Sequence, residues 1–200
     1  MWKAAPPDVP TSLDDAELIQ ESWRRPDLFA VLYDRYFGEI HRYAAGRLGT
    51  QIADDLAAET FLVAFRRRQS FDPSRGDVRP WLYGIATNLL AQHRRSEARR
   101  LEALQRSPAG DVAEDGHEER VTARVTAASA QGRLASELRR LSDGDRDVLL
   151  LVALANLSYE EVAQTLGIPF GTVGSRLNRV RRKLRRALGG VNPVIGGSDG

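Results

Sequence analysis

The segment Ser158–Leu188, SYEEVAQTLGIPFGTVGSRLNRVRRKLRRAL, decides how the C-terminal part of this chain folds. Ser158 followed three residues later by Glu161 has the spacing of a capping box, in which each side chain bonds the other residue's backbone N–H at a helix start. Val162, Ala163 and Leu166 then share one face of a short helix. Gly167 can end that helix in a left-handed conformation that other residues resist. Ile168 is placed to plug the turn, and Pro169 suits the first position of the next helix. A short helix, a glycine turn and a longer basic helix, in that order, make a helix-turn-helix.

The second helix, Phe170 to Leu188, separates its faces. At about 100° per residue, Val173, Leu177, Val180, Leu184 and Leu188 fall on one stripe that must pack against the preceding helices. Thr172, Ser175, Arg176, Arg179 and Lys183 lie away from it. Such positions on a recognition helix face base edges, where arginine binds guanine bidentately. Arg181, Arg182, Arg185 and Arg186 lie further along and suit phosphate contacts. The helix holds seven Arg or Lys and no carboxylate, which an ordinary surface helix would balance. It is built to enter a DNA groove.

Outward from this unit the pattern stays helical. No stretch alternates as a strand would, and Ala, Leu, Arg and Glu dominate. A first helix is expected between Ser12 and Trp23, a second over Asp27–Leu48 stopped by Gly49, and a third from Ile52 to Arg68. After the turn-rich Phe71–Gly76 a fourth runs from Val78 to Arg100. Its stripe of Val78, Trp81, Leu82, Ile85, Ala86, Leu89 and Leu90 places Trp81 in a core. Ser142-x-x-Asp145 reads as a capping pair at the start of a helix reaching Ala155. The expected architecture is all-α, two small helical domains joined by a flexible linker: a disordered arm (1–11), a first domain (12–103), a linker poor in large apolar residues (104–131), the helix-turn-helix domain (132–188) and a mobile tail (189–200).

Composition excludes several classes of function. With 42% hydrophobic residues over 200 positions the chain can form cores, but no apolar run reaches the roughly 18–20 residues of a membrane span. It contains no cysteine, which removes disulfides and thiolate metal sites, and a cytoplasmic protein is the expectation. His41, His93 and His117 are far apart and form no H-x-x-x-H or H-E-x-x-H pairing, so no metal or other cofactor and no enzyme chemistry are expected. Net charge is only +2, yet cations gather in Phe170–Leu188 and at His93, Arg94, Arg95, Arg99 and Arg100. Acids gather at Asp54, Asp55 and Glu59 and again over 111–119. Segregation of this kind points to a surface facing a polyanion.

The N-terminal half narrows the reading. Asp54-Asp55-Leu56 through Glu59-Thr60-Phe61, then Val63-Ala64-Phe65, resembles the AEDLxQETFxxA signature of extracytoplasmic-function sigma factors. Arg79-Pro80-Trp81-Leu82-Tyr83-Gly84-Ile85-Ala86-Thr87-Asn88 resembles their xxWLYxIAxN signature, and Leu141–Leu188 is similar to their promoter-reading fourth region. The resemblance covers roughly residues 14–103 and 132–188. It implies a non-catalytic protein that binds core RNA polymerase, directs it to promoters and helps melt them, commonly held in check by an anti-sigma factor. It implies polymerase docking by Asp54, Asp55, Glu59, Phe61 and Leu62. It also implies minus-ten reading by Phe71, Arg75, Arg79, Tyr83, Asn88, Arg94 and Arg95, and minus-thirty-five reading by Thr172, Ser175, Arg176, Arg179, Arg182 and Lys183. On residues alone, Asp55 and Glu59 sit one turn apart on a face suited to a basic partner. A duplex-binding regulator independent of polymerase would explain the C-terminal unit but leave both N-terminal signatures without a role. Gly174 and Gly84 depart from the family pattern, standing where members often carry larger side chains, and each weakens its helix.

Overall fold

The computed structural model describes residues 13–105 and 127–188, and among them every regular element is helical. The expected arm, most of the expected linker and the tail lie outside the described residues. Eight α-helices follow in order: α1 (Asp15–Glu21), α2 (Phe29–Leu48), α3 (Thr50–Arg67), α4 (Val78–Gln105), α5 (Ala127–Arg139), α6 (Asp143–Ala153), α7 (Tyr159–Leu166) and α8 (Phe170–Ala187). Short 3-10 turns at Pro26–Leu28, Arg68–Ser70 and Pro73–Arg75 join the first four. Helix α4 continues past Arg100 to Gln105, and α5 begins at Ala127, so both ends of the stretch expected as linker are helical. Loss of large apolar residues there removes the packing signal, while Glu, Ala, Arg and Leu keep their helix preference.

The first unit is built on a hairpin. Gly49 alone separates α2 from α3, and its φ of +84° lets the chain reverse within one residue. Leu32, Ile40, Tyr43 and Ala44 of α2, Ala53, Leu56, Phe61 and Ala64 of α3, and Val78, Leu82, Tyr83, Ala86 and Leu90 of α4 are buried together. α1 closes one end through Leu18 and Ile19, its start secured by an Asp14–Glu17 capping box.

In the second unit the capping box at Ser158 and Glu161 is formed, and Gly167 takes φ +61°, ψ 36°, the left-handed end required between α7 and α8. Pro169 caps α8 rather than occupying its first turn. Ser142 accepts the N–H of Asp145 at the start of α6, but the Asp145 carboxylate does not reach back and is used elsewhere. Val173, Leu177, Val180 and Leu184 are the buried stripe of α8, as the periodicity requires. Leu141, Leu149, Val180 and Leu184 make a small core with Leu134 and Leu138 of α5.

The two units do not hang apart. Val148, Leu151, Ala155, Leu157, Val162, Val173 and Leu177 join the core of α1–α4, with α7 lying on α4 and α6 touching α2. A Cβ on Gly84 would lie 3.5 Å from the Thr165 carbonyl oxygen, an ordinary van der Waals distance, so the α7 backbone packs directly beside α4.

Two glycines of the helix-turn-helix have opposite local demands. Gly167 needs its positive φ, whereas Gly174 is mid-helix with nothing within 4 Å of where a Cβ would stand. Gly167→Ala should therefore lower stability by about 1 kcal/mol or more and Gly174→Ala raise it by up to about 1 kcal/mol. Urea unfolding of the two variants beside the parent protein measures both signs.

Candidate nucleic-acid interface

Helix α8 carries the most concentrated positive charge. Arg182, Arg185 and Arg186 are exposed, and Arg181 donates to the Tyr159 hydroxyl at 3.4 Å. Thr172 and Ser175 lie on the free side of the first turns, Ser175 donating to the Thr172 carbonyl at 3.0 Å. Phe170, 54% exposed, stands at the helix start beside Tyr159.

Three of the expected base readers lie along the edge of α8 that faces the start of α6. Arg176 donates to the Gly144 carbonyl at 3.4 Å. Arg179 Nη1 is 3.3 Å from Asp145 Oδ1, and Lys183 Nζ is 3.8 Å from Asp145 Oδ2. Asp145 is 1% exposed, and a buried carboxylate is tolerated only when cations stand against it. Arg179 and Lys183 keep about half their side-chain surface open to solvent. They can meet DNA, but through a carboxylate that competes with phosphate.

A second surface surrounds a cavity of about 520 Å³ at the start of α4, lined by Phe71, Arg75, Trp81, Asn88, Gln164 and Thr165 among others. Trp81 is half-buried rather than wholly in the core, its ring centroid 5.2 Å from that of Phe71. Arg75, Asn88 and Arg95 are exposed. Asp72 caps the turn by accepting from the Ser74 N–H and hydroxyl, and these bonds hold its carboxyl below the usual carboxylate range. The other expected minus-ten readers are engaged. Arg79 meets Glu39 through Nε at 2.9 Å and Nη2 at 2.8 Å. Tyr83 is 1% exposed, edge-on to Tyr43, with its hydroxyl donating to Glu39 at 3.4 Å. Burial first, and then the Glu39 charge, push that hydroxyl's pKa up. Arg94 pairs with Asp143 of α6.

The third surface is acidic. Asp54, Asp55 and Glu59 are exposed on α3; Asp54 lies 3.2 Å from His41 Nε2, and Asp55 and Glu59 border a groove closed by Gln92, His93, Ser96 and Arg99 of α4. Leu62 is 48% exposed one turn further on. Phe61 is buried beneath it, 5.0 Å from the Tyr33 ring, and supports the face without belonging to it. Among the described residues no group of three or more His, Cys, Asp or Glu could hold a metal ion, and no helix is long and apolar enough to cross a membrane.

Residues 32–100 match Sigma-70 region 2, and residues 131–184 match Sigma-70, region 4. The chain is 31% identical over 176 residues to the ECF RNA polymerase sigma factor SigW of Bacillus subtilis, covering 81% of this chain and 89% of that one. This chain belongs to the ECF sigma factor family. The ECF RNA polymerase sigma factor BldN of Streptomyces coelicolor is 34% identical over 164 residues, covering 81% of this chain, which spans only about three fifths (61%) of BldN. The RNA polymerase sigma factor CnrH of Cupriavidus metallidurans is 37% identical over 145 residues, or 68% of this chain and 72% of CnrH. The structure of CnrH in complex with the cytosolic domain of CnrY superposes with a TM-score of 0.63 at 26% identity, covering 88% of this chain and 98% of that one. In this sigma factor region 2 thus takes in the acidic face and the α4 cavity, and region 4 takes in the helix-turn-helix.

Sequence reasoning missed the three carboxylates of α6. Asp143, Asp145 and Asp147 read as acids favourable at any helix start, and nothing local reveals that each meets a distant cation. Asp143 takes Arg94, Asp145 takes Arg179 and Lys183, and Asp147 takes Arg47. Removing the charge at Asp145 should free the cationic edge of α8. Asp145→Asn is expected to bind duplex DNA more tightly and to steepen the salt dependence by about one released counterion. Titrations of one DNA fragment across a salt series read the slope directly; an unchanged slope would mean that Asp145 does not compete with phosphate.

Proposed function

We propose that this chain is an initiation subunit that binds core RNA polymerase and directs it to specific promoters, recognising them at two elements and assisting melting at the downstream one. One observation carries the reading: a single chain combines a cation-rich helix-turn-helix, an aromatic and amide-lined cavity on α4, and an exposed acidic face on α3. A duplex-binding regulator needs only the first. Asp54, Asp55, Glu59 and Leu62 dock the polymerase, their exposed charge suiting a basic partner with an apolar contact beside it. Phe61 sets their backing.

The α4 cavity receives unstacked bases of melted DNA. Phe71 and Trp81 offer flat faces, Asn88 an amide, and Arg75 and Arg95 phosphate contacts, which single-stranded recognition requires. Tyr83 and the Arg79–Glu39 pair brace the wall, and Arg94 joins the readers once released from Asp143. On duplex DNA, Thr172, Ser175, Arg176 and Arg179 read base edges, while Arg182 and Lys183 meet phosphates. The bond chemistry of transcription stays with the polymerase, so the chain contributes binding rather than catalysis and works in the cytoplasm. An anti-sigma factor covering the polymerase-facing surfaces is the natural regulatory partner, as the CnrH complex with the cytosolic domain of CnrY suggests by analogy.

Core RNA polymerase freed of sigma subunits, mixed with this protein and genomic promoter fragments, should start transcripts at defined positions. Specific duplex binding with no effect on core polymerase would overturn the proposal. Asp55→Arg with Glu59→Arg should weaken core binding at least tenfold and leave duplex binding by α8 intact. Arg176→Ala should shift upstream-element preference by about 1–3 kcal/mol per lost base contact; a uniform loss across sequences would reassign Arg176 to phosphate.

A further inference from the structure

Trp23, in the turn that follows α1, belongs to none of the three surfaces described above and is 46% exposed. Tryptophan is buried over most of its surface in an ordinary domain, and this one is held outward rather than left loose. Its indole N–H donates to the Arg68 carbonyl at 3.3 Å. Arg68 in turn donates from Nε to the Ser22 carbonyl at 3.3 Å and from Nη1 to the Phe65 carbonyl at 2.6 Å, with its guanidinium 3.9 Å from the centre of the Phe65 ring. Ser22 is wholly buried, its hydroxyl donating to the Ile19 carbonyl at 2.6 Å. The indole's one polar group is satisfied, and the backbone beside it is pinned. What remains open is a flat apolar face.

The surroundings of that face are cationic. Arg24 follows it in the turn, and Arg66 and Arg67 end α3 next to the carbonyl that the indole meets. All three are exposed, and among the described residues none of them forms an ion pair. Arg25 pairs with Asp27 at 3.2 Å at the surface. The local balance is Arg24, Arg25, Arg66, Arg67 and Arg68 against Glu21 and Asp27. Cations at the end of α3 suit the negative pole of the helix dipole whatever they bind. That role does not account for a half-exposed indole standing among them.

The face also adjoins the α4 cavity. Arg67 and Ser70 line the cavity, and Arg68, whose carbonyl holds the indole, lies between them in the chain. This 3-10 turn rises only about 2 Å per residue, so the ring stands within a nucleotide's reach of the cavity rim. We propose that Trp23 is a stacking platform for a second unstacked base: the nucleotide adjoining the one captured in the α4 cavity lies on the indole, with its phosphates against Arg24 and Arg67. The inference rests on the reading of the cavity as a single-strand site given above, and it adds a contact which that reading does not contain. Single-strand sites combine a cationic track for the backbone with aromatic faces for successive bases. Stacking asks only for a π-face, so the platform takes any base and adds affinity for melted DNA without adding sequence preference. Paired bases stay in the duplex stack and cannot use it. An acidic protein surface would suit the arginines but has no use for the flat face.

Trp23 is open in the free chain, so the test needs no polymerase. The chain has three tryptophans, Trp2, Trp23 and Trp81. Trp2→Phe with Trp81→Phe leaves Trp23 as the reporter in the full chain. Octathymidylate should quench its emission, and a duplex of the same length should not. In the parent background, Trp23→Ala should weaken octathymidylate binding about tenfold, the scale of one lost base–aromatic stack, and leave duplex binding unchanged. Trp23→Phe, which keeps a ring but loses the bond to Arg68, should stay close to the parent. Arg24→Gln with Arg67→Gln should lower the slope of log affinity against log salt by about 1.4, as two lost phosphate contacts on a single strand require. Absence of quenching, a Trp23→Ala variant that binds octathymidylate as the parent does, or a Trp23→Phe variant as weak as Trp23→Ala would each overturn the platform. So would a loss confined to core polymerase binding, which would reassign the patch to a protein contact. Failure of the parent protein to initiate with core polymerase would instead overturn the sigma reading, and the oligonucleotide titrations would still decide the platform.

Discussion

The structure turns on where α6 places three carboxylates. Spaced two residues apart, they leave the helix on opposite sides: Asp145 toward α8, Asp143 and Asp147 toward α2 and α4. Cations gathered this densely are held by counter-charges, and here the protein's own acids supply them. Buried or half-buried pairs of this kind gain little net stability, because desolvation offsets most of the attraction. Their contribution is to orientation: they fix which way Arg47, Arg94, Arg179 and Lys183 lie.

Around α6 the two halves are conventional in their physics. Each helix forms from an apolar stripe on a helix-preferring sequence; the α2–α3 and α7–α8 reversals fall on glycines with positive φ, Gly49 and Gly167, and Asn156 takes φ +50° between α6 and α7. Tyr43, Tyr83 and Thr87 show how a polar group enters the core of the first unit. Tyr43 and Thr87 share a hydroxyl bond at 2.9 Å, and Thr87 donates its own to the Tyr83 carbonyl at 2.8 Å. This packing carries both the exposed acidic face and the α4 cavity on one hairpin and one long helix.

Much of this was legible in the chain itself. The helix-turn-helix is written locally: the Ser158–Glu161 box, Gly167 and the α8 stripe depend on neighbours within a few residues, and each is present as expected. The exposed acids of α3 follow from the same periodicity. Side chains whose fate depends on distant partners were not legible. Tyr83 and Phe61 carry the chemistry of a reader and a docking residue, yet tertiary packing buries both. Arg79 and Arg94 look like free cations until Glu39 and Asp143, tens of residues away, meet them. Helical composition could mark α4 and α5 as helices but not show that α7 would settle on α4, since that contact depends on Thr165 meeting the Pro80 carbonyl and on acids of α6 meeting distant cations of the first unit.

The most direct measurement is a double-mutant cycle on Arg47 and Asp147, whose side chains pair across 2.6 Å and are nearly buried, read by urea unfolding of the full chain. Because either charge left alone would be buried without its partner, Arg47→Met and Asp147→Leu should each lower stability, and the double variant should recover most of the loss. Single losses that simply add in the double variant would contradict the account.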